Sequence, residues 1–213
     1  ALEHAPDDDR PRHVEAVYGL VLEPDAHERV EHLLRLRLRR EVDDLAALVL
    51  ANSTVRDRFT GTAVLTAEAA AGLGALGYVA RASGIDIDAR RDHPYLDLGA
   101  AFAVVLEQHG DVLSRFQVRV REAAVSAALI IDLSARLGAS TGSGRQVAAS
   151  GPGSGLGLVE GWRGTIAHRV ELDPAGRLSR VKVADPSFFN WPALPLALAD
   201  TIVPDFPLAN KSF

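Results

Sequence analysis

The sequence feature that most restricts the fold is an uninterrupted helical pattern between Gly110-Asp111 and Gly138. No Gly or Pro interrupts residues 112–137, and apolar residues recur there at helical spacing. Asp111 is typical of a helix N-cap, and Gly138 is typical of the residue that follows a helix. At 1.5 Å per residue this helix would be roughly 40 Å long. The sequence therefore predicts one long helix as the largest element of the fold.

Shorter elements are predicted before the long helix. Helical patterns occur at residues 25–51, 53–59 and 66–76, with Gly77 as the stop signal of the third. Residues 78–98 contain several Asp, Gly and Pro and are predicted as a loop. The compact apolar run at residues 101–106 is predicted as a strand.

Beyond residue 138 the pattern changes from helical spacing to alternation. A connection rich in Gly and Ser is predicted at 139–157, followed by strands at 158–164, 165–173 and 178–184. Asn190 is predicted to cap a last short helix around residues 191–200. The chain is thus predicted to be α+β and mainly α, with a flexible tail at 1–12, one domain at 13–213, a helical part at 25–138 and a β-hairpin plus short helix at 158–213.

Composition excludes several kinds of site. The 213 residues contain no Cys, which excludes disulfides, thiolate-held metals and thiol catalysis in this chain. The seven His residues show no spacing typical of metal ligands. The net charge of −5 disfavours non-specific nucleic-acid binding. The sequence contains no uninterrupted apolar run of about 18 residues, so no membrane-spanning helix is predicted.

Two short motifs flank the first predicted strand. The glycine run Gly151–Gly157 follows a loop and leads into a strand, whereas a dinucleotide-binding turn follows a strand and opens a helix. It therefore predicts a flexible entry to a hairpin and not an NAD site. Glu160 and Arg163 are three residues apart, so in a regular strand they point to opposite faces and need separate partners.

A polar stripe follows one face of the long helix, with steps of four, four, three and four residues: Asp111, Arg115, Arg119, Glu122 and Ser126. Two interpretations stay open. On a solvated face, such residues form ion pairs that contribute a few tenths of a kcal/mol each. On a buried face, they form a charged ladder toward another subunit or a polar axis, and they must then be paired.

Five short motifs in register along about residues 35–213 resemble one protein family. They are Arg81-Ala-Ser-Gly84, Asp88-Ala-Arg-Arg-Asp-His-Pro-Tyr95, Gly110-Asp111 with Arg115-Phe-Gln-Val-Arg119, Gly155-Leu-Gly-Leu-Val-Glu160-Gly-Trp-Arg163-Gly164, and Asp185-Pro-Ser-Phe-Phe-Asn190. Their order resembles the quinone-site (49 kDa-type, D) large subunit of complex I and the related nickel–iron hydrogenase large subunits. Asn190-Trp-Pro-Ala-Leu194 is most similar to the formate hydrogenlyase and membrane-bound hydrogenase branch.

This resemblance implies a central bundle that contains the long helix, with the hairpin packed near it. It also implies a polar network, with no catalytic residue, among Arg81, Asp88, Arg90, Asp111, Arg115, Arg119, Glu122, Glu160 and Arg163. The paired Cys motifs that hold nickel in this family have no match, and Ala209–Phe213 stands where the second would fall. The N-terminal sheet that meets the quinone head group is also unmatched, so a partial chain or degenerate relative, inactive alone, is expected.

The resemblance therefore implies a subunit or fragment of a membrane-associated oxidoreductase complex, with a scaffold and polar-network role. Quinone, NAD and iron–sulfur clusters are expected on the wider complex or on other subunits. Expected partners are an iron–sulfur small subunit and membrane-arm subunits, on the cytoplasmic side and peripheral to the inner membrane. Two alternatives remain: a genuine quinone-site subunit completed by a missing portion, or a non-redox interaction or regulatory module derived from the same fold.

We expect this chain to bind no nickel, iron or zinc stoichiometrically, because it has no thiolate and no His cluster to hold one. Elemental analysis of the purified protein by mass spectrometry tests this. Nickel at close to one equivalent per chain would contradict the prediction.

Overall fold

A computed structural model describes Leu33 and residues 37–137 and 151–213. In these ranges the helices are α1 (Arg39–Ala51), α2 (Ser53–Phe59), α3 (Ala67–Leu73), α4 (Gly77–Ala82), α5 (Ala89–Asp92), α6 (Val112–Leu137), α7 (Ser187–Asn190), α8 (Ala193–Ala197) and α9 (Phe206–Ser212). The strands are β1 (Gly153–Gly161), β2 (Gly164–Leu172) and β3 (Leu178–Ala184). None of the helices described has the length and apolar character needed to cross a membrane.

The predicted long helix is confirmed as α6. Its start is fixed by Asp111, whose carboxylate accepts hydrogen bonds from the Ser114 N–H at 2.7 Å and the Gly61 N–H at 2.8 Å. The Val112 N–H donates to the Thr62 carbonyl at 3.0 Å. The N-cap thus satisfies a free helical N–H and also binds a distant segment of the chain to the start of the helix.

The apolar core lies where α4 and α6 meet the C-terminal helices. Tyr78 and Val79 of α4 and Val118 of α6 are buried there, together with Ala193 of α8 and Ala209 of α9. Most of these side chains are small, which allows the helix backbones to pack closely. The core therefore holds the C-terminal helices against the middle of the molecule.

The three strands form one antiparallel sheet in the order β1-β2-β3. The α+β, mainly α fold class with a small C-terminal sheet is confirmed. The predicted connection at 139–157 is wrong at its end, because Gly153–Gly157 already pair with β2, starting with Gly153 opposite Leu172. Ladder hydrogen bonds there compensate for the low strand propensity of glycine. Residues 138–150 lie outside the described ranges, as does the predicted tail.

The prediction of a loop at 78–98 is wrong, since α4 and α5 lie within it. All six residues of α4 are buried, so the segment has no polar face and no helical periodicity to detect. The predicted strand at 101–106 is also wrong. It follows a 3₁₀ turn at Gly99–Ala101, and no strand of the described chain pairs with it.

Helix boundaries differ from prediction at two further places. Helix α3 ends at Leu73, because Gly74 adopts a left-handed conformation with φ of 67°. The predicted helix at 191–200 is shorter in the structure, where α8 (Ala193–Ala197) is its helical part. Helix α7 ends just before that range, at Asn190, and the Asn190 side chain caps no following helix. The helix predicted at 53–59 is confirmed as α2, with the Asn52 side chain as its cap.

The hairpin of β1 and β2 is joined to α4 by direct contact between two backbones. A Cβ added to Gly77, which has φ of 60°, would lie 2.3 Å from the Arg163 carbonyl oxygen. The Asn190 side chain reinforces the contact, since its amide donates to the same carbonyl at 3.0 Å and its oxygen accepts from the Leu76 N–H at 2.8 Å. Only glycine satisfies both the conformation and the spacing at Gly77.

We expect Gly77→Ala to destabilise the protein much more than Gly74→Ala does. Both glycines have left-handed φ values, 60° and 67°, but a Cβ at Gly74 would meet nothing within 4 Å. The matched pair therefore shares the conformational cost of roughly 1–2 kcal/mol, and overpacking adds about 1–3 kcal/mol at Gly77 only. Thermal unfolding followed by circular dichroism measures the difference, and equal melting temperatures would show that the backbone contact does not hold the hairpin.

Candidate functional site

Arg81 is the centre of a buried polar network between α4, α6 and the hairpin. Its side chain is only 1% exposed. Its Nε donates to Glu122 Oε1 of α6 at 2.6 Å, and its Nη1 donates to Glu160 Oε1 of β1 at 2.9 Å. The same Nη1 also donates to the Ile87 carbonyl at 3.0 Å. A single guanidinium therefore joins two carboxylates from elements far apart in the sequence.

Glu160 extends this network into α5 and β2. Its second oxygen, Oε2, accepts from the Ala89 N–H at 3.1 Å and from the Thr165 hydroxyl at 3.0 Å. The Ala89 N–H lies at the start of α5, where free helical N–H groups attract negative charge. Both oxygens of this buried carboxylate are thus occupied, which is the condition for burying a charge without a large penalty.

Asp88 and Arg90 form the third part of the network. Arg90 binds Asp88 through two parallel hydrogen bonds, Nε to Oδ1 at 2.9 Å and Nη2 to Oδ2 at 2.6 Å. Asp88 Oδ2 also lies 3.4 Å from Arg81 Nη1. Burial alone would raise the pKa of Asp88, but hydrogen bonds and charge attraction from Arg90 outweigh it and lower the pKa. Asp88 is thereby held ionised.

Glu122 differs from Asp88 in its proton affinity. Burial raises the pKa of Glu122, and the attraction of Arg81 only partly offsets this effect. Within the network Glu122 is therefore the group best suited to take up or release a proton. The arrangement as a whole can hold charges in fixed positions.

The other end of the polar stripe belongs to a separate cluster. Arg115 is fully buried and donates to the Ser212 hydroxyl at 3.0 Å and to the carbonyls of Gly110 at 2.6 Å and Ala63 at 3.0 Å. Its guanidinium lies 4.4 Å from the ring centroid of Phe213. Burial lowers the pKa of Arg115 to about 9, which leaves it charged at neutral pH. Asp111 and Arg115 thus fix the start of α6 and lie outside the Arg81 network.

Arg119 and Arg163 each contact an aromatic ring. The Arg119 guanidinium lies 4.9 Å from the Tyr78 centroid, and that of Arg163 lies 5.3 Å from the Trp162 centroid. Neither Arg forms an ion pair with a carboxylate in the part of the chain that the structure describes. Glu160 and Arg163 have separate partners, but Arg163 lies in the turn after β1 and not in the strand, so the predicted strand alternation is not the reason.

Of the nine residues predicted for a network, the structure brings five together: Arg81, Asp88, Arg90, Glu122 and Glu160. Sequence reasoning missed Thr165 and the backbone groups of Ile87 and Ala89, which have no recognisable spacing relative to Glu160. It also missed the bridging role of Asn190, because a side chain that bonds two distant backbone groups leaves no periodic signal.

The donor set does not fit a thiolate-held nickel–iron centre, since the sequence contains no Cys. Among residues 37–137 and 151–213, no group of three His, Asp or Glu side chains is arranged to hold a metal ion. The chemistry available in this region is that of guanidinium, carboxylate, hydroxyl and backbone groups.

Comparison with known proteins gives relatives along most of the chain. It is 31% identical over 171 residues to the carbon monoxide-induced hydrogenase of Rhodospirillum rubrum, covering 80% of this chain and 47% of that protein. It is 32% identical over 180 residues to the D subunit of the F(420)H(2) dehydrogenase of Methanosarcina mazei, covering 79% and 48%. The chain therefore spans about half the length of these relatives.

A solved structure shares the fold. The membrane-bound sulfane sulfur reductase, described as an archaeal respiratory membrane complex, contains a chain that matches with a TM-score of 0.76 at 23% identity. The match covers 90% of this chain and 54% of that chain. The helical arrangement and the C-terminal sheet are thus those of a known architecture.

The family described as respiratory-chain NADH dehydrogenase, 49 Kd subunit, matches residues 20–151 of the 213. This match covers more than half of the chain, and the two relatives each match about four-fifths of it. The matched family is the same as the one that the order of the five motifs predicts. The chain therefore belongs to the family of the respiratory-chain NADH dehydrogenase 49 kDa subunit.

Proposed function

We propose that the protein is a large-subunit component of a membrane-associated oxidoreductase complex, in which this region is a scaffold with a buried polar network. Family membership supports the class of complex, and the relatives include a hydrogenase and one subunit of a dehydrogenase. The observation that carries the scaffold role is the Arg81 guanidinium, which binds α6 and β1 at the same time.

The polar character of this junction supports more than a packing role. A buried ion pair is often no more stabilising than apolar side chains of similar volume, because its charges must leave water. Here Arg81, Asp88 and Glu160 are all deeply buried, and each carboxylate retains a partner. Such a network fixes the relative positions of its elements by directional hydrogen bonds, and Glu122 adds a group that can exchange a proton.

The remaining parts of the function are assigned to other polypeptides. We propose that an iron–sulfur small subunit and membrane-arm subunits are the partners, and that quinone, NAD and iron–sulfur clusters are bound on the wider complex. The location proposed is the cytoplasmic side, peripheral to the inner membrane. These assignments rest on the family, and the chain itself has no thiolate for an iron–sulfur cluster or nickel.

We expect Arg81→Met to lower stability far more than Arg121→Met. Removing Arg81 leaves the buried Glu122 and Glu160 without their cation, which costs about 3–5 kcal/mol. Arg121, which lies on α6, pairs with Glu107 with its side chain half exposed, and such a pair contributes under about 1 kcal/mol. The melting temperature should fall by roughly 6–20 °C for Arg81→Met and by only a few degrees for the control.

The same variant gives a second readout that a simple packing defect would not. Without Arg81 the pKa of Glu122 should rise further, so that the folded variant binds more protons than the unfolded chain. The free energy of unfolding of the variant therefore increases as the pH falls from about 7.5 to about 5. The difference in free energy of unfolding between the variant and the unsubstituted protein becomes smaller over the same range. Chemical denaturation at both pH values measures this difference in free energy of unfolding. A difference that does not change with pH would contradict a role of Arg81 in charge pairing.

The assembly proposal is tested with the protein expressed from its own gene with an affinity tag. Purification from detergent-solubilised membranes is expected to recover an iron–sulfur subunit and membrane-embedded subunits, identified by mass spectrometry, with iron–sulfur signals in electron paramagnetic resonance. Arg81→Met should reduce the yield of that complex. Recovery of the tagged protein alone would contradict the proposal, and recovery with partners that lack redox centres would favour the non-redox interaction module.

A further inference from the structure

A cavity of about 300 Å³ lies between α6 and the end of β1, on the outer side of the Arg81 network. Its walls are formed by Arg81, Arg90, Arg119, Glu122, Ala123, Ser126, Glu160, Gly161 and Trp162. Trp162 is 64% exposed, so the cavity is accessible from solvent beside its ring. The volume is at the lower end of the range for small-molecule sites, which suits a small ligand or a single inserted side chain.

The carboxylates in these walls already have cations or hydrogen-bond donors. Glu122 accepts from Arg81, and Glu160 accepts from Arg81, Ala89 and Thr165. Of the lining cations, Arg81 is bound to both carboxylates, and Arg90 is bound to Asp88 through two hydrogen bonds. Arg119 is the lining cation to which no carboxylate of the described residues is paired.

The surroundings of Arg119 favour an anionic partner. The Arg119 guanidinium lies over the Tyr78 ring, and this contact uses no oxygen or nitrogen acceptor, so its N–H groups can still bind one. Arg115, one turn earlier on α6, is a second cation whose hydrogen-bond acceptors are neutral oxygens. Repulsion from Arg119 contributes to the lowered pKa of Arg115. An anion beside Arg119 would relieve this repulsion.

We propose that the cavity is a carboxylate-binding site in which Arg119 pairs with the ligand, with Ser126 and Trp162 in the cavity wall. A carboxylate matches the planar guanidinium through two parallel hydrogen bonds. A singly charged carboxylate is also favoured over a doubly charged phosphate, because the nearby Glu122 and Glu160 repel negative charge. The ligand is either a free small carboxylate or an Asp or Glu side chain of a partner subunit. This inference goes beyond the proposed function, because it gives a role to Arg119, which forms none of the ion pairs of the Arg81 network.

The test uses Trp162 fluorescence in a Trp191→Phe background, since the chain has two Trp residues. Acetate is titrated into the purified protein at constant ionic strength, with chloride as the reference anion. A saturable change with acetate and none with chloride is expected. Arg119→Gln should weaken acetate binding by roughly tenfold or more, with partial recovery in Arg119→Lys.

Arg163→Gln is the matched control, because Arg163 contacts the same Trp162 ring but does not line the cavity. It should leave the acetate affinity within about twofold, since it removes no cavity donor. Circular dichroism and melting temperature establish that Arg119→Gln is folded. The absence of saturable acetate binding, or equal effects of Arg119→Gln and Arg163→Gln, would overturn the proposal.

The assembled complex then identifies the source of the carboxylate. Acetate that binds the isolated protein but no longer perturbs Trp162 in the complex indicates that a partner side chain occupies the cavity. In that case Arg119→Gln should also weaken assembly. Acetate binding that is retained in the complex, and lost in Arg119→Gln, indicates a site for a free carboxylate. Either result supports the proposal, whereas a complex that forms normally but lacks iron–sulfur signals would challenge only the proposed function.

Discussion

The Arg81 guanidinium determines how the parts of this protein fit together. It comes from a short helix, α4, and reaches a carboxylate of the long helix and a carboxylate of the first strand. Without Arg81 each of those carboxylates would keep its negative charge in a buried position with no cation bound to it, which is costly. The contact is therefore mutual: the helices and the sheet bury the Arg81 side chain, and its ion pairs hold the sheet against the helices.

The long helix shows how far sequence spacing can predict a site. Periodicity gives its limits and the shared face of Asp111, Arg115, Arg119 and Glu122, because both depend only on local geometry. Along its length, however, α6 passes a capped loop, an aromatic ring and the Arg81 network. One continuous stripe is therefore divided into three environments, which only the tertiary packing determines.

Other parts of the fold could not be predicted for identifiable physical reasons. Helix α4 is buried on every side, so it has no alternation between apolar and polar residues. Asn190 has the chemistry of a helix cap, but it bridges two backbone groups separated by many residues. The partnership of Arg81 and Glu160 joins residues 79 positions apart. In the sequence, only the order of the family motifs indicates that those two residues belong to one network.

The two turns of the sheet differ in how well they tolerate added residues. The β1–β2 turn, where Gly161 pairs with Gly164, contacts α4 through its backbone at Gly164, so an insertion there would displace that contact. The β2–β3 turn at Asp173 to Arg177 closes through its own hydrogen bonds and is exposed in its middle. A fluorescent label or peptide epitope grafted at Ala175 would therefore report on the protein while leaving its charged interior undisturbed.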